Sequence, residues 1–277
     1  MQYGRLLRSS AVFCIFMAKE ARMKKIIALI TGATSGIGNA TARLLAANHF
    51  DVIITGRRKE RLLSLQDEIR KKTGVDVLSL VFDVRKKDEV EKALKALPDK
   101  WKPVYLLVNN AGGAMGLDLM QEGNTDDWDT MIDANVKGLL YVTRALVPGM
   151  IERGSGHIVN IGSIAGKEVY EKGNVYCATK FAVDALTRGM RIDLLKHGIK
   201  VTSICPGLVE TEFSLVRFKG DEEKAKTPYL GLTPLTGEDI ADAILYAVTR
   251  PPHVNINDML IMPAAQASSV YVHRKTE

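Results

Sequence analysis

Short apolar runs alternate with longer segments of helical periodicity from residue 24 almost to the end of the chain. The apolar runs lie at residues 26–30, 51–55, 77–82, 104–108, 157–161, 200–204 and 259–261. A connection long enough to hold a helix forces the strands that it joins to be parallel. The alternation therefore predicts an α/β fold, a doubly wound parallel sheet of seven strands flanked by helices.

The segments between the runs read as amphipathic helices that belong to one domain. In residues 58–72, for example, Leu62, Leu65 and Ile69 recur at three- and four-residue spacing, with charged residues on the other face. No repeat or Pro/Gly-rich linker interrupts residues 23–277, so we expect a single domain there. Residues 210–237 are less regular, and we expect them to form a lid.

Residues 1–22 precede this domain as a short leader. They place Arg5 and Arg8 before the apolar residues 11–18, which faintly resembles a secretory signal. The alternatives are a disordered arm or a start-site artefact, because Met23 is followed directly by two lysines and the first apolar run. The leader takes no part in the predicted fold.

Composition and charge exclude several classes of protein. The 277 residues are 46% hydrophobic and 25% charged, which is typical of a folded globular chain and excludes a disordered or collagen-like one. Half of the net charge of +6 comes from the leader, which contains the basic residues Arg5, Arg8, Lys19 and Arg22 and one acidic residue, Glu20. The remaining excess is too dilute to predict a nucleic-acid surface, so a small anionic ligand is the better expectation.

The cysteines, the histidines and the lengths of the apolar runs indicate the cellular compartment and argue against metal binding and a membrane-spanning helix. Cys14, Cys177 and Cys205 show no CxxC spacing, which indicates neither a disulfide framework nor a zinc site and favours a reducing, cytoplasmic compartment. The five histidines are scattered, so we expect no metal. No run approaches the roughly 18 apolar residues of a spanning helix, so we expect no membrane partner.

A glycine-rich turn follows the first predicted strand and precedes the helical residues 40–47. It reads Thr31-Gly32-Ala33-Thr34-Ser35-Gly36-Ile37-Gly38. Its three glycines allow a tight turn and close approach of a diphosphate, and the following helix presents free N–H groups to that anion. Strand, turn and helix in this order predict a Rossmann fold whose residues 32–38 bind a dinucleotide.

The ends of the next two strands indicate which dinucleotide is bound. An acidic residue usually meets a free ribose 2′-hydroxyl after the second strand, but here Arg57 and Arg58 stand there. Guanidinium groups match a phosphate, so the pair predicts NADP rather than NAD, although the two residues could simply begin a solvated helix. Asp83 and Val84 end the third strand and would lie near the adenine; Asp83 could equally cap the helix that starts near Lys86.

A tyrosine and a lysine four residues apart form the predicted catalytic pair. Tyr176 and Lys180 would share one face of a helix. A neighbouring ammonium favours the phenolate, so Lys180 is expected to lower the pKa of Tyr176 toward a value useful for acid–base chemistry. Ser163 closes the fifth strand, at the end of the sheet where ligands bind, and its hydroxyl could bond a substrate oxygen.

Together these motifs resemble the short-chain dehydrogenase/reductase family over residues 24–265. The resemblance implies that Tyr176 is the acid/base, that Lys180 also holds the nicotinamide ribose, that Ser163 orients substrate and that Asn135 supports a proton relay. It also implies cofactor contacts from Asn110, Ala111 and Gly112 and from the segment that begins at Pro206 and Gly207, including Val209 and Thr211. The matching residues are Thr31-Gly32-x-x-x-Gly36-Ile37-Gly38, Asn109-Asn110-Ala111-Gly112, Asn135, Ser163, Tyr176-x-x-x-Lys180 and Pro206-Gly207.

Residues 208–220 and 253–263 further resemble the NADP-dependent 3-hydroxy acid dehydrogenase branch of that family. Members of the branch oxidise L-serine, L-allo-threonine and related 3-hydroxy acids such as 3-hydroxyisobutyrate. A carboxylate substrate needs a fixed cation, and Arg217 in the expected lid is the best candidate, though it could face solvent. The resemblance also implies a homotetramer packed through the long helices around Asn135 and Tyr176.

Two other functions remain open from the sequence. A 3-oxoacyl carrier-protein reductase or general carbonyl reductase would use the same catalytic set, but the C-terminal segment lacks the Asp-Gly-Gly-like ending usual in the carrier-protein branch. A non-catalytic NADP-binding sensor would share the fold. The presence of Ser163, Tyr176 and Lys180 argues against it, since a pure binder has no need of an acid/base.

Overall fold

Seven strands form one parallel sheet in residues 26–275, which are the residues that this computed structural model describes. In the order 3-2-1-4-5-6-7, every neighbouring pair is parallel. The chain order reverses between strands 1 and 4, which opens a crevice at the carboxyl ends of the strands. The strands are β1 (Ile27–Ile30), β2 (Asp51–Gly56), β3 (Val77–Val81), β4 (Val104–Asn109), β5 (Gly156–Ile161), β6 (Ile199–Pro206) and β7 (Asp258–Ile261).

Helices connect the strands and cover both faces of the sheet. A π-helical turn, Asp133–Gly138, joins the helix Thr125–Ile132 to the helix Leu139–Arg153 without a break. Short 3₁₀ turns occupy Asp99–Trp101, Ile164–Gly166, Leu195–His197 and Thr227–Tyr229. The helices are α1 (Gly36–Ala47), α2 (Lys59–Thr73), α3 (Lys87–Lys95), α4 (Thr125–Ile132), α5 (Leu139–Arg153), α6 (Asn174–Leu194), α7 (Glu212–Arg217), α8 (Glu222–Lys226) and α9 (Gly237–Val248).

Alternate residues of each strand feed two separate apolar cores. In β1, Ala28 and Ile30 pack toward α1, α2 and α9, whereas Ile27 and Leu29 pack toward α3, α5 and α6. All four side chains are buried because both faces of the sheet are covered. Continuous apolar runs are the sequence signature of that double burial, which is why they identified the strands.

The predicted fold class is confirmed, and element boundaries move by a few residues. The helix expected at 58–72 spans Lys59–Thr73, and the helix expected from residue 40 begins at Gly36. The latter starts early because its first turn contains the glycines of the phosphate motif. The leader expected at residues 1–22 lies outside the described residues.

Residues 210–237 fold over one side of the crevice and contain α7, α8 and a 3₁₀ turn. Their two ends are held together, because Glu210 N donates to Leu235 O at 2.8 Å and Leu235 N donates to Leu208 O at 3.0 Å. The C-terminal residues lie against the same segment, where Lys275 N donates to Gly231 O. Within residues 26–275, no helix is both long and apolar enough to cross a membrane.

Candidate active site

A cavity of about 750 Å³ opens at the carboxyl ends of the strands. Residues of the glycine turn, of the ends of β2, β4, β5 and β6, and of residues 210–237 all line it. The cavity therefore brings together residues that are far apart in the sequence. The predicted site residues on its wall are Gly32, Thr34, Ser35, Ile37, Arg57, Arg58, Asp83, Val84, Asn110, Ala111, Gly112, Ser163, Tyr176, Lys180, Pro206, Gly207, Val209, Thr211 and Arg217.

Four predicted residues stand behind that wall. Ala33 is fully buried, and its N–H donates to Thr55 O at 2.9 Å. A Cβ on Gly38 would lie 2.4 Å from Asn110 Nδ2 and 2.5 Å from Gly32 O, and one on Gly36 would lie 3.1 Å from the Thr211 side chain. Asn135, also behind the wall, is described below. Gly36 and Gly38 thus permit the close packing that shapes the turn.

The glycine turn fits a diphosphate. Gly32 and Gly36 have φ angles of 68° and 51°, which side chains rarely adopt. Ser35 precedes α1 without a side-chain cap, and the first turn of α1 contains no acidic residue. Free N–H groups, together with a positive helix-dipole end that no acidic side chain offsets, are the features that bind phosphate oxygens.

The arginine pair stands at the rim of the cavity. Arg58 donates through Nη2 to Thr34 Oγ1 at 2.7 Å and to Ser35 Oγ at 2.8 Å, so it is attached to the glycine turn. The Arg57 side chain is 67% exposed, and its Nη1 lies 4.0 Å from Asp83 Oδ2. Both arginines line the cavity, and helix α2 begins directly after them, at Lys59, with Arg58 in the N-cap position.

Asp83 is a partner of arginine and not a helix cap. Both of its carboxylate oxygens accept from Arg85, at 2.6 to 3.1 Å, and Oδ1 also accepts from Arg85 N. Helix α3 begins at Lys87 with Lys86 in the cap position and no side-chain cap, so the alternative of Asp83 as its N-cap is wrong. Although burial opposes it, the bonds from Arg85 hold the pKa of Asp83 below its usual value.

Tyr176 and Lys180 lie on one buried face of α6. The Lys180 Nζ is 5.9 Å from the centre of the Tyr176 ring and donates to Ile161 O at 2.9 Å. Burial lowers the pKa of Lys180 to about 8. The expected lowering of the Tyr176 pKa is not found: burial raises that pKa, and the opposing groups are the Ser163 hydroxyl and the Arg217 guanidinium. Desolvation of the phenolate outweighs the charges around it.

Ser163 and Asn135 are both buried and held by backbone groups. Ser163 Oγ accepts from Ala165 N at 3.0 Å, at the start of the 3₁₀ turn that follows β5. Asn135 Oδ1 accepts from Gly113 N at 2.8 Å, while its Nδ2 donates to Gly113 O and to Thr179 Oγ1, both at 2.9 Å. The Asn135 side chain therefore ties the loop after β4 to the helix that carries Tyr176.

Arg217 reaches the phenol from the 210–237 segment. Its guanidinium carbon lies 5.3 Å from the ring centre of Tyr176 and 5.8 Å from that of Phe213. Its Nε donates to Gly116 O at 3.2 Å and its Nη2 to Tyr170 Oη at 2.7 Å. Nη1 has no hydrogen-bond partner among residues 26–275.

Sequence reasoning missed the residues that hold these groups in place. Tyr170 and Phe213 flank Arg217, and Thr31 Oγ1 accepts from the N–H groups of Asn110 and Ala111 at 3.0 and 2.9 Å. Tyr170 precedes Tyr176 by six residues in an irregular loop, so no periodicity marks it. The hydroxyl of Thr31 was visible at the end of the first strand but carried no distinguishing spacing.

A family model described as short chain dehydrogenase matches residues 26–221, and the chain belongs to that family. The chain is 49% identical over 251 residues to NADP-dependent 3-hydroxy acid dehydrogenase YdfG of Salmonella typhi, covering 90% of this chain and all of that one. It is 46% identical over 243 residues to the sulfoacetaldehyde reductase of Chromohalobacter salexigens, covering 87% of this chain and 95% of the relative.

A solved structure supports the same relationship. The structure titled as the closed form of serine dehydrogenase complexed with NADP⁺ matches this chain with a TM-score of 0.85 at 46% identity. The match covers 90% of this chain and all of that one. The family resemblance drawn from the glycine turn and the Tyr176 pair is therefore confirmed.

Proposed function

We propose that this protein is an NADP-dependent oxidoreductase that transfers hydride between the β-carbon of a 3-hydroxy acid and nicotinamide. The observation that carries the proposal is the contact between Arg217 and Tyr176, which puts a cation with a free N–H group beside a buried phenol. A substrate carboxylate on Arg217 would bring its hydroxyl toward Tyr176. The relatives named for 3-hydroxy acid and serine dehydrogenation support this substrate class.

The residues of the cavity fit the proposed cofactor. The glycine turn would hold the diphosphate, Arg57 and Arg58 would bind the 2′-phosphate, and Asp83 and Val84 would border the adenine. Lys180 and the residues from Pro206 to Thr211 would hold the nicotinamide half. When bound, the nicotinamide supplies a carbon that accepts or returns a hydride, which is the step that protein side chains cannot perform.

The chain's own residues manage the proton and the orientation of substrate. In oxidation, the Tyr176 phenolate oxygen takes the proton of the substrate hydroxyl, and in reduction the phenol returns it. Ser163 donates to the substrate oxygen and so fixes the carbon that loses hydride. Lys180, whose pKa burial lowers to about 8, would be positively charged at neutral pH, and that charge would oppose the burial that raises the pKa of Tyr176.

For L-serine this chemistry balances without a metal. The substrate would give up a hydride from its β-carbon and its hydroxyl proton to Tyr176, and the product would be an aminomalonate semialdehyde. Its carboxylate is β to the new carbonyl, so it can leave as carbon dioxide. Asn135 would take part as a support, because its amide groups position the Gly113 loop against the helix of Tyr176.

A second substrate class is favoured by the same cation. The relative named sulfoacetaldehyde reductase reduces an aldehyde that carries a sulfonate, and a sulfonate presents oxygens to a guanidinium much as a carboxylate does. Reduction of a sulfonated aldehyde would use Tyr176 as the proton donor. The free Nη1 of Arg217 would serve either anion.

We also propose a homotetrameric, cytoplasmic enzyme with residues 210–237 as its lid. Ile132, Leu140 and Phe181 are apolar yet 37 to 40% exposed on the helices around Asn135 and Tyr176, which suits burial against further copies. Cys177 and Cys205 are buried free thiols, as a reducing compartment favours. Sedimentation equilibrium should give four times the chain mass of 30.4 kDa; a monomer would refute the tetramer.

Absorbance of NADPH on a substrate panel tests the main proposal. NADP⁺ or NAD⁺ would be mixed with L-serine, L-allo-threonine, 3-hydroxyisobutyrate and neutral secondary alcohols, and NADPH with sulfoacetaldehyde. We expect turnover with NADP⁺ and 3-hydroxy acids. Turnover of neutral alcohols alone would reject the carboxylate pocket, faster turnover of the sulfonate would favour the second class, and no turnover would favour a sensor.

A further inference from the structure

One carboxylate of the 210–237 segment bridges two arginines at the cavity rim. Glu212 Oε2 lies 2.7 Å from Arg58 Nη1, and Glu212 Oε1 lies 2.6 Å from Arg61 Nη1. Glu212 is the first residue of α7, whereas Arg58 and Arg61 lie at the start of α2, about one helical turn apart. The bridge therefore joins the proposed lid to the proposed 2′-phosphate site.

The bridge uses donors that a phosphate would need. The Nε and Nη2 atoms of Arg58 are directed at Thr34 and Ser35, which leaves Nη1, the atom on Glu212, as its outward donor. The Arg61 side chain is half exposed, and Glu212 is its only hydrogen-bond partner among the described residues. Arg61 is thus a third cation at the rim, beside Arg57 and Arg58.

The charges at this part of the cavity rim favour exchange of the Glu212 carboxylate for a phosphate. Asp83 is paired with Arg85 and lies 4.0 Å from Arg57, so among the described residues Arg58 and Arg61 have Glu212 as their one ion-pair partner. Although partial burial opposes it, the bonds from Arg58 and Arg61 keep the pKa of Glu212 below its usual value, and the carboxylate is charged at neutral pH. A phosphate monoester with nearly two negative charges would meet Glu212 as a like charge on the same guanidinium groups.

Building on the proposed function, we propose that Arg61 belongs to the 2′-phosphate site and that Glu212 competes with the 2′-phosphate for Arg58 and Arg61. The phosphate displaces the Glu212 carboxylate, which frees α7 at this contact. Binding of NADP then acts on the same segment that carries Arg217. NAD, which lacks the phosphate, leaves the bridge in place.

Cofactor binding measured without turnover tests this competition. NADPH and NADH would be titrated by fluorescence, and adenosine 2′-monophosphate by calorimetry, against wild type, Glu212→Gln and the control Glu222→Gln. Glu222 lies in the same segment, is exposed and forms no ion pair among the described residues. Removing a like charge at this distance should tighten NADPH and adenosine 2′-monophosphate about threefold to tenfold in Glu212→Gln. NADH should change less than about twofold, and Glu222→Gln should match wild type.

Arg61→Met completes the design. It should weaken NADPH about threefold to tenfold and leave NADH unchanged. In the Arg61→Met background, Glu212→Gln should tighten NADPH less than it does in wild type, because Arg58 alone is then shared between Glu212 and the phosphate. Arg61 is exposed and Glu212 is only partly buried, so we expect both variants to fold, which similar urea midpoints would show.

Three results for Glu212→Gln would refute the proposed competition. The variant could change the affinities for NADPH and NADH equally, it could bind NADPH more weakly than wild type, or it could bind NADPH with unchanged affinity. The first two would make Glu212 a clamp that closes over either cofactor. Failure of the proposed function gives a different result, because wild type would then bind NADH as tightly as NADPH.

Discussion

The guanidinium carbon of Arg217 lies 5.3 Å from the ring centre of Tyr176, and Arg217 Nη2 donates a 2.7 Å hydrogen bond to Tyr170 Oη. The contact joins the segment between β6 and α9 to the helix that carries the proposed acid/base. The proposed substrate recognition and the proposed proton transfer would therefore share one surface. Because the proposed anion-binding role belongs to Arg217 and the proposed acid–base role to Tyr176, substitution of each residue tests one role at a time.

Replacing Tyr176 by Phe tests the acid/base role. We expect kcat to fall about 10²- to 10⁴-fold, because the proton then has no positioned acceptor, while the Kd for NADPH changes less than about twofold. Tyr246→Phe is the control, since Tyr246 is 48% exposed on α9 and does not line the cavity. Retention of most of the turnover in Tyr176→Phe would reject the mechanism.

Arg217→Met tests the anion site. Loss of a charge-assisted bond should raise KM for L-serine or another 3-hydroxy acid about 10- to 100-fold. KM for a neutral alcohol should rise much less, so the comparison of substrates separates charge from packing. Arg250→Met, on the ring of Tyr246, serves as the control. Equal losses on both substrates would show that Arg217 only packs against the aromatic rings.

Lys180→Met should stabilise the protein while it abolishes turnover. Burial depresses the pKa of Lys180 from 10.5 to about 8, which corresponds to roughly 3 kcal/mol against the charged form. After the lost bond to Ile161 O, a net gain of about 2 kcal/mol in unfolding free energy is expected at pH 7.

The pH dependence of that gain identifies its cause. Between pH 8 and 10.5 the unfolded chain binds more protons than the folded protein, so wild type recovers stability and the difference from Lys180→Met should shrink. Urea unfolding at pH 7 and pH 10 measures this, with exposed Lys196→Met as the control. A difference that is constant with pH would exclude the buried charge as its source.

His157 should make the protein sensitive to acid. It is fully buried on β5, its Nε2 lies 2.8 Å from Thr202 Oγ1, and burial, with a smaller effect from Lys200, lowers its pKa to about 3. As pH falls from 6.5 toward 3, the unfolded chain gains a proton that the folded protein does not. Stability is therefore lost by up to about 1.4 kcal/mol per pH unit in this window.

His157→Gln should flatten that dependence. The variant keeps a polar atom near Thr202, and we expect it to be about 1 to 2 kcal/mol less stable than wild type at pH 7 but closer to it at pH 5. Urea unfolding at both values makes the measurement, and exposed His253→Gln is the control. Parallel losses in wild type and His157→Gln would assign the acid sensitivity to other groups.

Gly38→Ala tests the glycine turn. The new Cβ would lie 2.4 Å from Asn110 Nδ2 and 2.5 Å from Gly32 O, so the turn must shift and NADPH binding should weaken at least about tenfold. Gly189→Ala is a matched control, because it lies in α6 with nothing within 4 Å of the new Cβ. There we expect a gain of about 0.5 to 1 kcal/mol from helix propensity. NADPH affinity unchanged in Gly38→Ala would contradict the phosphate cradle.

The fold and much of the candidate site were predictable because local sequence carries them. Strands covered on both faces must be continuously apolar, so the runs beginning at residues 26 and 157 identified β1 and β5. The glycine turn needs positive φ at Gly32 and Gly36, and only glycine adopts those angles without strain. Tyr176 and Lys180 share a face because their spacing is one helical turn.

The alternative N-cap role of Asp83 and the expected direction of the Tyr176 pKa were wrong for a common reason. A local pattern shows which groups can interact, but it does not show which of the competing interactions is the strongest in the folded protein. Arg85 takes both oxygens of Asp83, and burial of Tyr176 outweighs the cations beside it. Competition between partners and the loss of water depend on the whole surrounding structure.

The sequence by itself determined the class of fold and the shape of the glycine turn, and it predicted Tyr176 and Lys180 as the acid–base pair, because each rests on periodicity or on backbone angles that a few consecutive residues impose. Only the tertiary structure decided that Glu212 would pair with Arg58, 154 residues away in the chain, and that Arg217 would lie beside the ring of Tyr176. Contacts of that kind depend on the order of the strands in the sheet and on where the 210–237 segment lies. The burial that sets the pKa values of Tyr176, Lys180 and His157 arises in the same way, because it exists only once the layers have packed.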